Sequence, residues 1–210
     1  MPESPYTVSD VMTHTAVAIG SEAPFKEVVE LLDQWKVSAV PVLAGEGRVV
    51  GVVSEADLLA KEEFRDDADG PYERDPARRA KAGAVTAGEL MSSPAVTVHA
   101  DASVAEAARI MARRHVKRLP VVDAVGLLQG VVSRSDLLKV FLRPDGDIAE
   151  DVRHQVLGRL PVTTALTVRV TEGVVTLGGS LPDRSLVPVV ARAVRAVEGV
   201  VDVRLDLTHR

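Results

Sequence analysis

Residues 51–59 read GVVSEADLL, and residues 130–138 read GVVSRSDLL. Working outward, the match extends upstream without a gap: a shift of about 79 positions lays Val11–Leu59 on Leu90–Leu138. Met12 falls on Met91, Ala16-Val17 on Ala95-Val96, Glu27 on Glu106, and Pro41-Val42 on Pro120-Val121. A unit repeated at one interval sets the architecture before any single motif is read. Two copies ending in the same Gly-apolar-apolar-Ser-x-x-Asp run are expected to pack face to face, leaving two related clefts.

Each copy predicts strand, helix, strand, strand, helix. In the first, Thr15–Ile19 is a short apolar strand, and Phe25, Val28, Val29, Leu32 and Trp35 recur at helical spacing after Pro24. Val40–Leu43 and Val49–Val53 are strands around a Gly45–Gly47 turn, and Ser54 caps a helix through Leu59. The second copy repeats this order with strand Ala95–Val98, helix Ser103–Arg114, strands Leu119–Val122 and Leu127–Val132, and a helix from Ser133 to near Phe141. Met12 and Met91 occupy matched positions that suit core anchoring, and Trp35 suits packing at a helix end.

Composition narrows the function classes. The chain has 210 residues, 46% hydrophobic and 26% charged, which suits two or three soluble folding units. A net charge of -5 argues against a nonspecific polyanion binder, so no nucleic-acid partner is expected. Aromatics at 3% disfavour stacking platforms for single strands. With no cysteine, disulfides and thiolate metal sites are excluded. The start, MPESPYTVSDVMT, lacks an export pattern, and no apolar run approaches the roughly 20 residues that span a bilayer, so a cytoplasmic location is expected. A nucleophile with an adjacent base, a Walker-type glycine loop and a metal triad are all missing from the motifs, so no enzyme, no obligatory cofactor and no metal site are expected.

The repeated motif carries the chemistry. A glycine inside a strand lets another group approach the backbone. Serine at a helix start offers a hydroxyl and free amide donors, and the Asp three residues on can accept two hydrogen bonds from a vicinal diol. Serine, helix start and Asp together suit a ribose bearing phosphate. A plain capping box, in which Asp57 and Asp136 bond back to the cap residue, is the competing reading.

The arrangement resembles the tandem cystathionine-β-synthase (CBS) domain pair. The resemblance rests on DVMT and ELMS at the two openings, VSAVPVL and VKRLPVVD at the middle strands, and the two GVVSxxDLL endings, over about residues 8–141. It implies two α/β domains about a pseudo-twofold axis, binding an adenine nucleotide (AMP, ADP or ATP) as regulatory ligand, and a homodimer formed through the CBS helices. Carried over by residue, one cleft would take Ser133, Asp136, Lys117, Arg118 and Pro120, closed by Thr13, Ala16 and Val17. The other would take Ser38, Pro41, Ser54 and Asp57, with Ser92, Ala95 and Val96 opposite. Because Ser38-Ala39 stands where the second copy has Lys117-Arg118, the Asp57 cleft is expected to bind more weakly. His115 has two open readings, cleft ligand or surface cap.

After Arg143-Pro144-Asp145-Gly146, read as a turn, the repeat stops and an α+β domain follows. Its helix over Asp147–Leu157, strands Ala165–Thr171 and Val174–Leu177, helix Leu186–Val197 and alternating strand Val200–Leu207 resemble the BON domain. The resemblance is carried by VRVTEGVVTLGGSL (Val168–Leu181) and VEGVVDVRLDL (Val197–Leu207), and implies lipid, envelope or protein contact, with a bacterial source. The expected boundaries are 8–64 and 86–143 for the repeats, 65–85 for a charged linker and 147–210 for the last domain. In the linker, Arg74, Arg78, Arg79 and Lys81 are read either as solvated charge or as cations folding back toward a bound phosphate. The whole is expected to be a nucleotide-sensing regulator with BON as output; the alternative is a dimeric scaffold with vestigial clefts.

Overall fold

Parallel pairing of the first two strands of each repeat dictates a helical crossover between them, and the alternation and periodicity of the sequence supply it. The computed structural model describes residues 6–63, 76–159, 166–181, 183 and 185–207. In chain order its elements begin with α1 (Val8–Val11), β1 (Ile19–Gly20), α2 (Phe25–Trp35), β2 (Ala39–Ala44), β3 (Arg48–Ser54), α3 (Glu55–Glu63), α4 (Pro76–Gly83) and α5 (Ala87–Leu90). They continue with β4 (Val98–His99), α6 (Val104–Arg114), β5 (Arg118–Val122), β6 (Leu128–Ser133), α7 (Arg134–Leu138), α8 (Asp145–Asp151), β7 (Leu166–Thr171), β8 (Val174–Gly179), α9 (Leu186–Arg195) and β9 (Asp202–Leu207). This mixed α/β and α+β content is the expected fold class. The chain divides into two compact units, one of Met12–Ala102 with Ile110–Ser133, the other of Met1–Val11, Ser103–Arg109 and Arg134–Arg210.

The first unit holds both repeat sheets. Each has the order parallel then antiparallel, β1-β2-β3 and β4-β5-β6. The repeat extends to irregularities: register shifts fall between Val42 and Leu43 and between Val121 and Val122. The opening strands are shorter than their apolar runs, because β1 and β4 have one neighbour each and the chain upstream pairs elsewhere. Thr13 bridges to Val131 of the other repeat, and Ser92 bridges to Val52. Each lead-in segment thus docks on the opposite sheet.

That exchange explains the strand glycines. A Cβ on Gly130 would lie 2.6 Å from the Thr13 carbonyl oxygen, and one on Gly51 would lie 2.4 Å from the Met91 sulfur. The group that approaches each glycine is the protein's own chain. The core of the first sheet is filled accordingly: Ile19, Val28, Leu32, Val40, Val42 and Val53 pack with Ala84, Ala87 and Leu90, which lead into the second repeat. Helix α5 is held by a capping box in which the Thr86 hydroxyl accepts from the Glu89 N–H while the Glu89 carboxylate accepts from the Thr86 N–H.

In the other unit, the Arg143–Gly146 stretch read as a turn instead starts α8, with Pro144 at its N-cap. Proline there is pre-set for a helix start, which is the reason the turn signal misled. The helix runs on through a π-turn at Val152–Val156 and a tight turn to Arg159. Asp145 accepts hydrogen bonds from the N–H groups of Glu172 and Gly173, each 2.8 Å, fixing the hairpin between β7 and β8. Strand β8 pairs antiparallel with β7 and parallel with β9. Ile148, Val152, Val156, Val175, Leu177, Val190, Val194, Val197 and Val203 form the core. The alternating strand is less buried than its pattern suggests: Val203 is buried, while Val201 and Leu205 are exposed at the sheet edge. Alternation marks a face but not how far the covering helices reach.

Candidate functional site

A cavity of about 370 Å³ opens in the first unit beside the start of α3. Ser38 at the head of β2, Ser54 at the end of β3, and Asp57 in the first turn of α3 form one wall. Ser92, Ala95 and Val96, between α5 and β4, form the wall facing it. Six of the seven residues that the CBS resemblance groups around Asp57 therefore line one cavity. The seventh, Pro41, lies with Pro120, Val52 and Val131 in a narrow crevice between the middle strands.

Asp57 does two things at once. Its Oδ2 accepts hydrogen bonds from the Ser54 amide and hydroxyl, each 2.7 Å, so the capping reading holds. Its Oδ1 is paired with the ammonium of Lys81, which also donates to the Ser92 hydroxyl at 2.9 Å. Both side chains of the pair are largely covered, 19% exposed for Lys81 and 13% for Asp57. Lys81 comes from α4, inside the stretch read as linker, and α4 is tied to α3 by Arg78 and Glu63 at 3.2 Å. Of the two readings of that basic run, Lys81 matches neither: it folds back, but onto a carboxylate. Arg74 lies outside the described residues.

The cations before β5 are redistributed relative to expectation. Lys117 and Arg118, assigned with Asp136, line the Asp57 cavity. Arg118 donates to the Ser38 hydroxyl at 2.8 Å and to the Ala39 carbonyl at 3.2 Å. The Asp57 cleft therefore does not lack these two cations, because Arg118, the first residue of β5, reaches across to Ser38 and Ala39 of the other repeat. His115 follows α6 in the left-handed region, φ 56°, and lines the Asp57 cavity, not a cleft with Asp136.

Of the remaining assigned residues, Thr13 pairs with Val131, Ala16 and Val17 are half-buried in the segment before β1, and Ser133 ends β6. Asp136 stands in the first turn of α7 in the second unit, its carboxylate 2.7 Å from the Lys139 ammonium. Lys139 is 57% exposed, whereas Lys81 is packed. Among the described residues no three His, Asp or Glu side chains converge as metal ligands, and no helix is long and apolar enough to cross a membrane.

Comparison with known proteins gives three matched stretches. The CBS-domain family model matches residues 8–63 and 87–143, and the BON-domain model residues 144–209. The structure of CBSX2 in complex with AMP superposes with a TM-score of 0.58 at 31% identity, over 65% of this chain and 97% of that one. Chloroplastic CBSX2 of Arabidopsis thaliana is 29% identical over 153 residues, and the match spans 66% of this chain and 64% of that protein's length. An uncharacterized protein of Methanocaldococcus jannaschii, MJ1426, is 26% identical over 164 residues, 64% of this chain and 90% of that one. This chain belongs to the CBS-domain family, carrying two CBS domains in tandem followed by a BON domain.

Proposed function

We propose that the protein is a regulatory sensor of adenine nucleotides and that the Asp57 cavity is a binding site. The observation that carries this reading is the convergence of Asp57, Ser54, Ser38 and Ser92 with Lys117 and Arg118 around one cavity. Its volume, about 370 Å³, falls within the range of small-molecule sites. A carboxylate at a helix start recognises the ribose hydroxyls. Serine hydroxyls and two cations take the phosphate, and Ala95-Val96 contribute an apolar edge for the base. CBSX2, which is similar over most of its solved chain, was solved with AMP. AMP, ADP and ATP share this chemistry.

Asp136, at the matching place in the second repeat, is the second diol-holding carboxylate in this proposal. The protein acts by binding rather than catalysis, in the cytoplasm, with the BON domain as output. A homodimer through the CBS helices is supported by the apolar residues Val29 and Leu59, which lie exposed on α2 and α3 beside Phe25 and Leu58. Calorimetric titration of the full chain with AMP tests the site. Loss of one binding event in Asp57→Ala supports it, and binding unchanged in stoichiometry and affinity by that substitution refutes it.

A further inference from the structure

The acceptor that a ribose requires at Asp57 already has an occupant. Oδ2 accepts two hydrogen bonds from Ser54, and Oδ1 faces the Lys81 ammonium, which Ser92 also holds. A carboxylate oxygen with two donors has no lone pair left for a third, so a diol must be accepted chiefly at Oδ1. Lys81 and the diol therefore compete for one atom. The ammonium sits against both walls, Asp57 on one and Ser92 on the other. Lys81 is delivered by α4, which meets α3 through this pair and the half-exposed Arg78–Glu63 pair among its contacts. Among the described residues α4 contributes no fully buried side chain.

We propose that Lys81 is an intramolecular gate on the Asp57 site: a ligand's ribose displaces it, and its displacement loosens α4 from α3. This rests on the sensor reading of the Asp57 cavity and adds to it a regulating residue and a moving element. Binding energy is spent on expelling the ammonium, so affinity in the native protein is lower than the cavity alone would give. The competition sits at the sugar, so it acts on a nucleoside as on a nucleotide. The phosphate is met by Lys117 and Arg118, which the gate leaves in place.

The test compares the full chain with Lys81→Met, titrated with adenosine and with AMP, each also in an Asp57→Asn background. Adenosine carries no phosphate, so any gain with it cannot come from altered phosphate binding. The gate predicts adenosine binding tightened by at least about fivefold in Lys81→Met, the equivalent of releasing one modest ion pair, with the gain lost in the Asp57→Asn background. Adenosine affinity unchanged or weakened in Lys81→Met, while native binding still depends on Asp57, overturns the gate and leaves the sensor reading standing. No binding of either compound to either protein overturns both. Hydrogen exchange on the native chain gives an independent readout should Lys81→Met fold poorly. AMP is expected to speed exchange at amides 77–83, and protection there contradicts the gate.

Discussion

Arg118 donates a hydrogen bond to the carbonyl of Ala39, 79 residues upstream, at 3.2 Å. The separation equals the repeat interval, so the two residues hold one position in two copies and meet near the axis that relates them. The same guanidinium reaches Ser38 and lines the Asp57 cavity, making one side chain both a tie between sheets and a wall of the site. Replacing Arg118 with Ala removes two hydrogen bonds from a half-buried place and should cost about 1–3 kcal/mol in denaturant unfolding. It should also weaken AMP binding more than adenosine binding, because it removes a cation from the phosphate end. Equal weakening of both would place Arg118 in a purely structural role.

Glycine substitutions separate the two lead-in contacts. Gly130→Ala meets the Thr13 backbone carbonyl at 2.6 Å, which can move only with the chain. Gly51→Ala meets chiefly the side chain of Met91, beginning with its sulfur at 2.4 Å, and part of that side chain can rotate away. Overpacking of this kind costs about 1–3 kcal/mol, with Gly130→Ala expected at the upper end and Gly51→Ala below it. Thermal melts of the two variants measure the order directly, and the reverse order contradicts the docking described.

Acid stability should respond to Glu89. Hydrogen bonds from the Val85 and Thr86 amides hold its carboxyl below the ordinary value of 4.5. A carboxylate with a lowered folded pKa stabilises the protein above its unfolded pKa, and that contribution disappears as pH falls through the folded value. The native chain should therefore melt higher than Glu89→Gln near neutral pH, with the gap closing as the pH drops below about 4.5 toward the lowered folded value. A gap that stays constant across the acid range would show that the charge of Glu89 does not contribute.

Arg143 joins the BON domain to the segment before it. Its guanidinium donates to Asp151 at 2.6 Å and to the Glu198 carbonyl at 2.8 Å, beneath the ring of Tyr6 at 4.8 Å. Arg143→Ala leaves a half-buried carboxylate and a carbonyl without their donor, at a cost of about 2–4 kcal/mol. Arg143→Lys keeps the charge but not the planar fork and should recover only part of this. Full recovery by lysine in chemical denaturation would mean the two-pronged geometry is dispensable.

The repeat made much of this legible. The repeat pointed to two related clefts, and the CBS resemblance, carried over residue by residue, put Ser38, Ser54 and Asp57 opposite Ser92, Ala95 and Val96, which line one cavity. Lys81 was not legible as a partner of Asp57, since it lies in a stretch with no counterpart in the other copy and its charge suits solvent equally well. The CBS resemblance, carried over residue by residue, puts Lys117 and Arg118 with Asp136 of their own repeat. A residue beside the symmetry axis can reach across it, and only the placement of β2 against β5 shows that Arg118 does. The strand glycines were recognised as places of close approach, but what approaches them is the chain itself.

The central claim is that Asp57 holds a nucleotide's ribose, and isothermal titration of AMP into the native chain and Asp57→Asn tests it most directly. The account predicts a saturable binding event in the native chain that Asp57→Asn removes or weakens by at least about tenfold, as loss of a charged acceptor for a diol requires. A native chain that binds AMP with the same stoichiometry and affinity after Asp57→Asn would contradict it.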